Sequence, residues 1–134
     1  MNLSKNVDFN YGGDAVTAAA NTDSNSSRFD MSGYDGILFV TAITDSVATG
    51  VAKLAVEQND ADSDTGMAAI TGAEAAKTSA KDDDLNGKIL IVDVYKPLKR
   101  YVQGVRTSAT KNIAFGEIYA IRYKGKMGPV ALSS

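Results

Sequence analysis

Ile37-Leu38-Phe39-Val40-Thr41-Ala42-Ile43 is the stretch whose reading decides the fold. It is dense in apolar and β-branched residues and is bounded by Asp35-Gly36 on one side and Asp45-Ser46 on the other. A strand alternates its side chains between two faces, and here both faces are apolar, so the run predicts a central strand covered on both sides.

Outward from that strand the same grammar continues. Ala52, Leu54 and Val56 point one way while Lys53, Ala55 and Glu57 point the other, the period-two signature of a half-buried strand. After Asn86-Gly87 comes Lys88-Ile89-Leu90-Ile91-Val92-Asp93-Val94-Tyr95, stopped by Pro97, which lacks a ladder donor and restricts Lys96 before it. Tyr101 to Thr107 makes a further strand, and Ile113 to Tyr123 another, in which Ile113, Phe115, Tyr119, Ile121 and Tyr123 are expected to share a side, interrupted by Glu117. Gly104 and Gly116 mark bulges or close backbone approach. Between Asn59 and Asp84 the Ala-rich pieces admit a one-turn helix by propensity, but two short strands or a loop crossing are preferred.

The opening third is poor in apolar runs and rich in Asn, Asp, Ser, Thr and Ala, with the breaker pair Gly12-Gly13. It offers at most one or two short strands, near Val16 and near Arg28 to Met31. The expected organisation is a single β domain over 1–134: a polar N-terminal arm or edge strand (1–25), a β-sandwich body (26–123) and an extended C-terminal tail (124–134). Six to eight short strands without a long helix leave a sandwich or a closed barrel, and uneven strand lengths favour an all-β jelly roll or related two-sheet sandwich.

Composition removes much chemistry. The chain has no Cys, His or Trp, so disulfides, thiolate nucleophiles and the usual general base near neutral pH are absent, together with the commonest ligand for zinc, copper and iron. No window approaches the roughly 20 apolar residues of a membrane-spanning helix, so a soluble chain without a signal peptide is expected. Residues 1–84 carry 14 acidic and 5 basic side chains, and 85–134 carry 2 acidic and 9 basic. Such polarity is balanced internally or orients the protein on a charged partner, the first being preferred.

The chemical motifs are weak. Asp60, Asp62 and Asp64 alternate like the opening of a calcium loop, yet Gly66 falls one place late for an EF-hand and Thr71 stands where a bidentate Glu is needed. A solvated acidic turn is the preferred reading, with a weak cation site as the alternative. Asp82-Asp83-Asp84 reads as a hydrated connection between strands. Ser79 and Lys81 are close in sequence, but nothing singles them out as a catalytic pair, and there is neither a G-x-S-x-G elbow nor a phosphate-binding glycine loop. No catalytic activity and no cofactor or metal are expected. Lys96-Pro97-Leu98-Lys99-Arg100-Tyr101 is the one compact basic patch with an adjoining aromatic. It is read first as a solvated corner, next as a protein-docking patch formed by Lys96, Lys99, Arg100 and Tyr101, and least as a nucleic-acid contact. Tyr34, Tyr95, Tyr101, Tyr119 and Tyr123 suit either partial burial or interface anchoring.

Two stretches, Asp30 to Gln58 and Asp84 to Tyr101, together with Ser108-Ala109-Thr110 and the strand after it, resemble small capsid cement or decoration proteins of tailed bacteriophages. The resemblance covers roughly residues 28–123 and carries no catalytic signature. It implies a jelly-roll or related sandwich on the outer face of an icosahedral head, clamping neighbouring subunits of the major capsid protein. It also implies self-association as a dimer or trimer there, synthesis in the host cytoplasm, and no direct contact with nucleic acid or membrane. The anchoring surfaces would then be the N-terminal arm, the C-terminal tail and the Lys96–Tyr101 corner. A tail, fibre or head-completion component, or a free-standing protein-binding β module, is the alternative.

Overall fold

The computed structural model describes residues 7–124. Ten strands follow one another: β1 (Val7–Gly13), β2 (Val16–Ala19), β3 (Thr22–Asn25), β4 (Phe29–Asp30), β5 (Gly36–Ser46), β6 (Val51–Asn59), β7 (Ala68–Thr78), β8 (Ile89–Tyr95), β9 (Tyr101–Ala109) and β10 (Ile113–Tyr123). No helix occurs among the described residues.

Two antiparallel sheets result. One runs β1-β10-β5-β8, with β2 also paired to β10; the other runs β3-β9-β6-β7, with β4 also paired to β9. Taking β1 with β2, and β3 with β4, as single interrupted strands, the first position pairs with the last and each later one with its counterpart inward. That is a folded-over hairpin ribbon, and the additional pairs β10–β5 and β9–β6 close it into two sheets. The protein is a jelly-roll β-sandwich.

The core lies between the sheets, where Ile37, Phe39 and Ile43 of β5, Leu90, Val92 and Val94 of β8 and Ile113, Phe115, Ile118 and Ala120 of β10 meet Ala52, Leu54 and Val56 of β6 and Val102 of β9. The β6 alternation is as its sequence predicts. Pro97 lies beyond the end of β8, as expected. At Gly104 a Cβ would stand 2.9 Å from Phe39 Cδ1 and 3.0 Å from Ile118 Cδ1, so this glycine lets β9 approach the opposite sheet.

Several expectations need correction. The shared side expected for β10 breaks at a bulge between Phe115 and Ile118. The extra residue flips the alternation, so Ile113 and Phe115 face inward, Ile118 and Ala120 follow them, and Tyr119, Ile121 and Tyr123 turn to the outer face. Arg106, on β9, is almost fully buried and donates from Nη1 to the Gly116 carbonyl in that bulge (2.8 Å) and to the Asp14 carbonyl (2.7 Å), tying the bulge to the link between β1 and β2. Burial pulls its pKa down from the usual guanidinium value.

The opening third is richer in strands than its composition suggests. Polar residues of β1 to β4 join edges of both sheets because ladder pairing with β9 and β10 satisfies their backbone, whatever their side chains. From residue 7 onward the expected N-terminal arm is therefore edge strand, and residues 1–6 lie outside the described residues, as does the expected tail beyond Lys124. The Ala-rich segment forms the single strand β7, with a register shift against β6 and Gly72 at φ +82°.

Candidate interaction surface

The Lys96–Tyr101 corner sits where β8 hands over to β9. Lys96 has a left-handed backbone (φ 53°), and its N–H donates to the Asp35 carbonyl at 2.6 Å, so the chain turns sharply just before Pro97. The Gln58 Oε1 then accepts from the N–H groups of Leu98 (3.1 Å) and Lys99 (3.3 Å), fixing the loop to the end of β6. The structure brings all four predicted residues into one neighbourhood, beside an open cleft of about 430 Å³ lined by Met31, Tyr34 and Asp35 as well as Lys96, Lys99 and Arg100.

The charges of that corner are already engaged. Lys99 Nζ lies 3.0 Å from Asp60, and Arg100 donates from Nε and Nη2 to the two oxygens of Asp30, each at 2.9 Å. This bidentate clasp, with the Ser32 N–H, draws the Asp30 pKa down to about 2. The Arg100 guanidinium lies 5.3 Å from the Tyr101 ring centre and Lys96 Nζ 5.5 Å from that of Tyr95. What projects unengaged is Leu98, 89% exposed. These contacts are cross-links of the fold, and with Arg122–Asp8 they join the basic second half of the chain to the acidic first half. Internal balance, the preferred reading of the charge polarity, operates at these three places.

The acidic clusters are likewise occupied. Arg28 reaches Asp62 at 2.6 Å and Asp64 at 2.8 Å, so a guanidinium takes the carboxylates a cation would need. Asp82 accepts from the Ala48 N–H at 2.9 Å, and Asp84 accepts from the Ser79 hydroxyl and the Ala80 N–H. Those bonds hold the Asp84 pKa below the ordinary carboxylate value, the Ser79 hydroxyl contributing most. The Lys81 carbonyl lies 2.6 Å from the same Ser79 Oγ, so the single hydroxyl proton is shared between two acceptors. That hydroxyl therefore belongs to a turn, and no Ser–Lys pair forms.

The feature that sequence reasoning missed is the outer face of the β1-β10-β5-β8 sheet. The ladders align Phe9, Ile121, Leu38 and Asp93 in one row and Tyr11, Tyr119, Val40 and Ile91 in the next, with Ala42 and Ile89 beyond. Phe9 is 67% exposed, and Tyr11, Ile89, Ile91 and Tyr95 are each more than half exposed. Tyr11 and Tyr119 meet edge to face, centroids 5.8 Å apart, and the Tyr11 hydroxyl donates to Asp14, which with burial pushes its pKa up to about 12. Between β8 and β10 the face dips into a shallow cavity of about 320 Å³ that includes Val40, Ala42, Ile89 and Tyr119.

Two charges lie on this face: Glu117, exposed at the rim of that cavity, and Asp93, which is held. The Tyr123 ring crosses Gly36 on β5, where any Cβ would lie 2.3 Å from the ring, and its hydroxyl donates to Asp93 Oδ1 on β8 at 2.6 Å. Burial and that bond together raise the Tyr123 pKa. β5 is central in hydrogen-bond order, as predicted, but its outer face is not covered by a second layer: Leu38, Val40 and Ala42 are half-buried only by neighbours on the same sheet. The signal was present in Ile89-Leu90-Ile91-Val92, apolar on both faces although one face is open.

No family model matches this sequence, and no curated protein matches it. Solved structures share the fold. The PBSX exported protein XepA is similar over 92% of this chain and 38% of its own, at 17% identity and a TM-score of 0.51. A structure of the infectious bursal disease virus Gx strain is similar over 89% of this chain and 32% of that one, at 8% identity and a TM-score of 0.51. The CBM22-1–GH10 modules of Clostridium thermocellum xylanase 10B match 88% of this chain and 24% of theirs, at 12% identity and a TM-score of 0.51. The chain thus spans 24–38% of the length of these structures, and at such identities the likeness is one of fold.

Proposed function

We propose that this chain is a structural component of a phage virion, a cement or decoration protein that binds the outer surface of the head and bridges major capsid subunits without performing a chemical step. The observation that carries the reading is the outer face of the β1-β10-β5-β8 sheet, where Phe9, Tyr11, Ile89, Ile91, Tyr95 and Tyr119 are 41–67% exposed. Aromatic side chains bury about 150–250 Å² each. Six large residues about half exposed therefore offer roughly 600 Å², which approaches the ~800 Å² per partner of a specific interface. The resemblance of residues 28–123 to cement proteins supports the same reading, and the jelly roll is a fold such shells use.

The docking surface in this reading is that face, with Leu98 and the Lys96, Lys99, Arg100 and Tyr101 corner at its rim. Because Lys99 and Arg100 are already paired, their part is to hold Leu98 in place. A ligand that binds only the assembled shell shifts the equilibrium toward assembly, and many copies multiply a modest contact.

Heads assembled without the chain, titrated with it and pelleted, test the proposal. Saturable binding at a fixed ratio to capsid subunits is expected, with regularly placed knobs in a density map. Replacing Phe9→Lys together with Tyr11→Glu, at the side of the face away from β8, is expected to weaken binding at least about tenfold, the loss of two buried aromatic anchors. No saturation, or unchanged binding by that folded variant, would reject the reading.

A further inference from the structure

Of the four sheet edges, three are blunted and one is not. β1 has a register shift between Tyr11 and Gly13 and gives way to β2; β3 and β4 are separate short pieces along β9; β7 shifts register against β6 around Gly72. Bulges, breaks and charges are how sheets avoid pairing with further chains. β8 has none of the interruptions: its ladder with β5 runs from Gly36↔Tyr95 to Ala42↔Ile89 without a shift, and its one charged residue is Asp93.

The bonding pattern fixes which groups that edge presents. Lys96 N–H donates to the Asp35 carbonyl and, at the other end, Ile43 N–H to the Lys88 carbonyl. Opposed residues alternate between bonded and unbonded pairs in an antiparallel ladder. Leu90, Val92 and Val94 therefore bond to β5, and the N–H and C=O groups of Ile89, Ile91, Asp93 and Tyr95 point away from it.

We propose that two copies of this chain pair antiparallel along β8, about a two-fold axis passing at Val92. This register brings Ile89 opposite Tyr95 of the second copy and Ile91 opposite its Asp93. It uses every outward backbone group of the strand, giving about eight hydrogen bonds, within the usual 10 ± 5 of a protein interface. Centring the axis on Asp93 would oppose two carboxylates and use fewer groups, and like charges directly opposite are destabilising. A two-fold makes the contact isologous and closed, so pairing stops at two. The two outer faces then join into one apolar wall across eight strand positions. This inference concerns the chain alone and does not depend on capsid binding.

Sedimentation of the purified chain, with variants, tests it. A concentration-dependent dimer is expected for the natural chain, and a monomer for Ile91→Lys with its far-UV circular dichroism unchanged. Because the protein has no cysteine, a second readout is available: an equal mixture of Ile91→Cys and Asp93→Cys chains is expected to form the mixed disulfide faster than either chain forms its own. A monomeric or trimeric natural chain, a dimer that survives Ile91→Lys, or no preference for the mixed disulfide would overturn the proposal. The capsid reading fails separately, through the Phe9 and Tyr11 variant.

Discussion

Gly104 shows how one missing methyl group sets the spacing of the sandwich. It lies on β9 against the ring of Phe39 and the end of Ile118, both fully buried, and its N–H and C=O are bonded by Ser26 Oγ and the Ser26 N–H. Backbone and side chains are thus held from both sides, leaving little room to yield. Gly104→Ala is expected to cost about 1–3 kcal/mol, the ordinary price of overpacking a full core. A fall in Tm of about 5–10 °C would register it, and an unchanged Tm would mean that Phe39 can move. The sequence announced this glycine as a bulge or close approach; which of the two depends on a strand from the other sheet and is not written locally.

Among the elements, the strands with dense apolar residues were legible, the edge strand β8 included, and the polar edge strands were not. β6 shows itself because burial on one face imposes alternation, and β5 and β8 because they are runs dense in apolar, β-branched residues between turns. β2 and β3 contribute mostly backbone to their ladders, so Ala, Thr, Asp, Ser and Asn serve there and no hydrophobic pattern marks them, whereas β1 does alternate Val7, Phe9 and Tyr11 with Asp8 and Asn10, a signal that the reading as a polar arm passed over. Gly116 was read as a bulge or close approach, and the bulge is there, but its effect on the alternation escaped because one inserted residue changes which side chains point inward while leaving the composition of the strand unaltered. The basic corner was found, but its role as a cross-link was hidden, since Asp30 and Asp60 lie far away in sequence. That clasp has an acid signature. The folded-state pKa of Asp30 is depressed from 3.8 to about 2, so its contribution to stability is full above about pH 4 and is lost as the pH falls toward 2. Asp8, bonded by Asn10 and Arg122, shifts the same way. In melts from pH 5 to 2, the Tm difference between the natural chain and Asp30→Asn is expected to shrink toward zero. A difference independent of pH would assign the effect to packing.

On the scale of the whole molecule, the ladders join strands distant along the chain, β1 with β10 and β3 with β9 among them. Loop closure must precede those contacts, which slows folding, so refolding from urea is expected in the millisecond-to-second range. Stopped-flow refolding complete within microseconds would contradict a topology dominated by such pairs. The overall class was readable because six apolar residues and a threonine between two turns, with further strand-like runs along the chain and no long helix, leave a sandwich or a closed barrel. The exposed wall was harder to foresee, because an apolar outer row looks in sequence the same as a covered one.

That wall has an optical consequence. The chain has six tyrosines and no tryptophan, so its near-ultraviolet emission is tyrosine emission, and Tyr11, Tyr95 and Tyr119 stand together on one flank. Whatever comes to rest on that flank would announce itself in the protein's own fluorescence, with no dye attached.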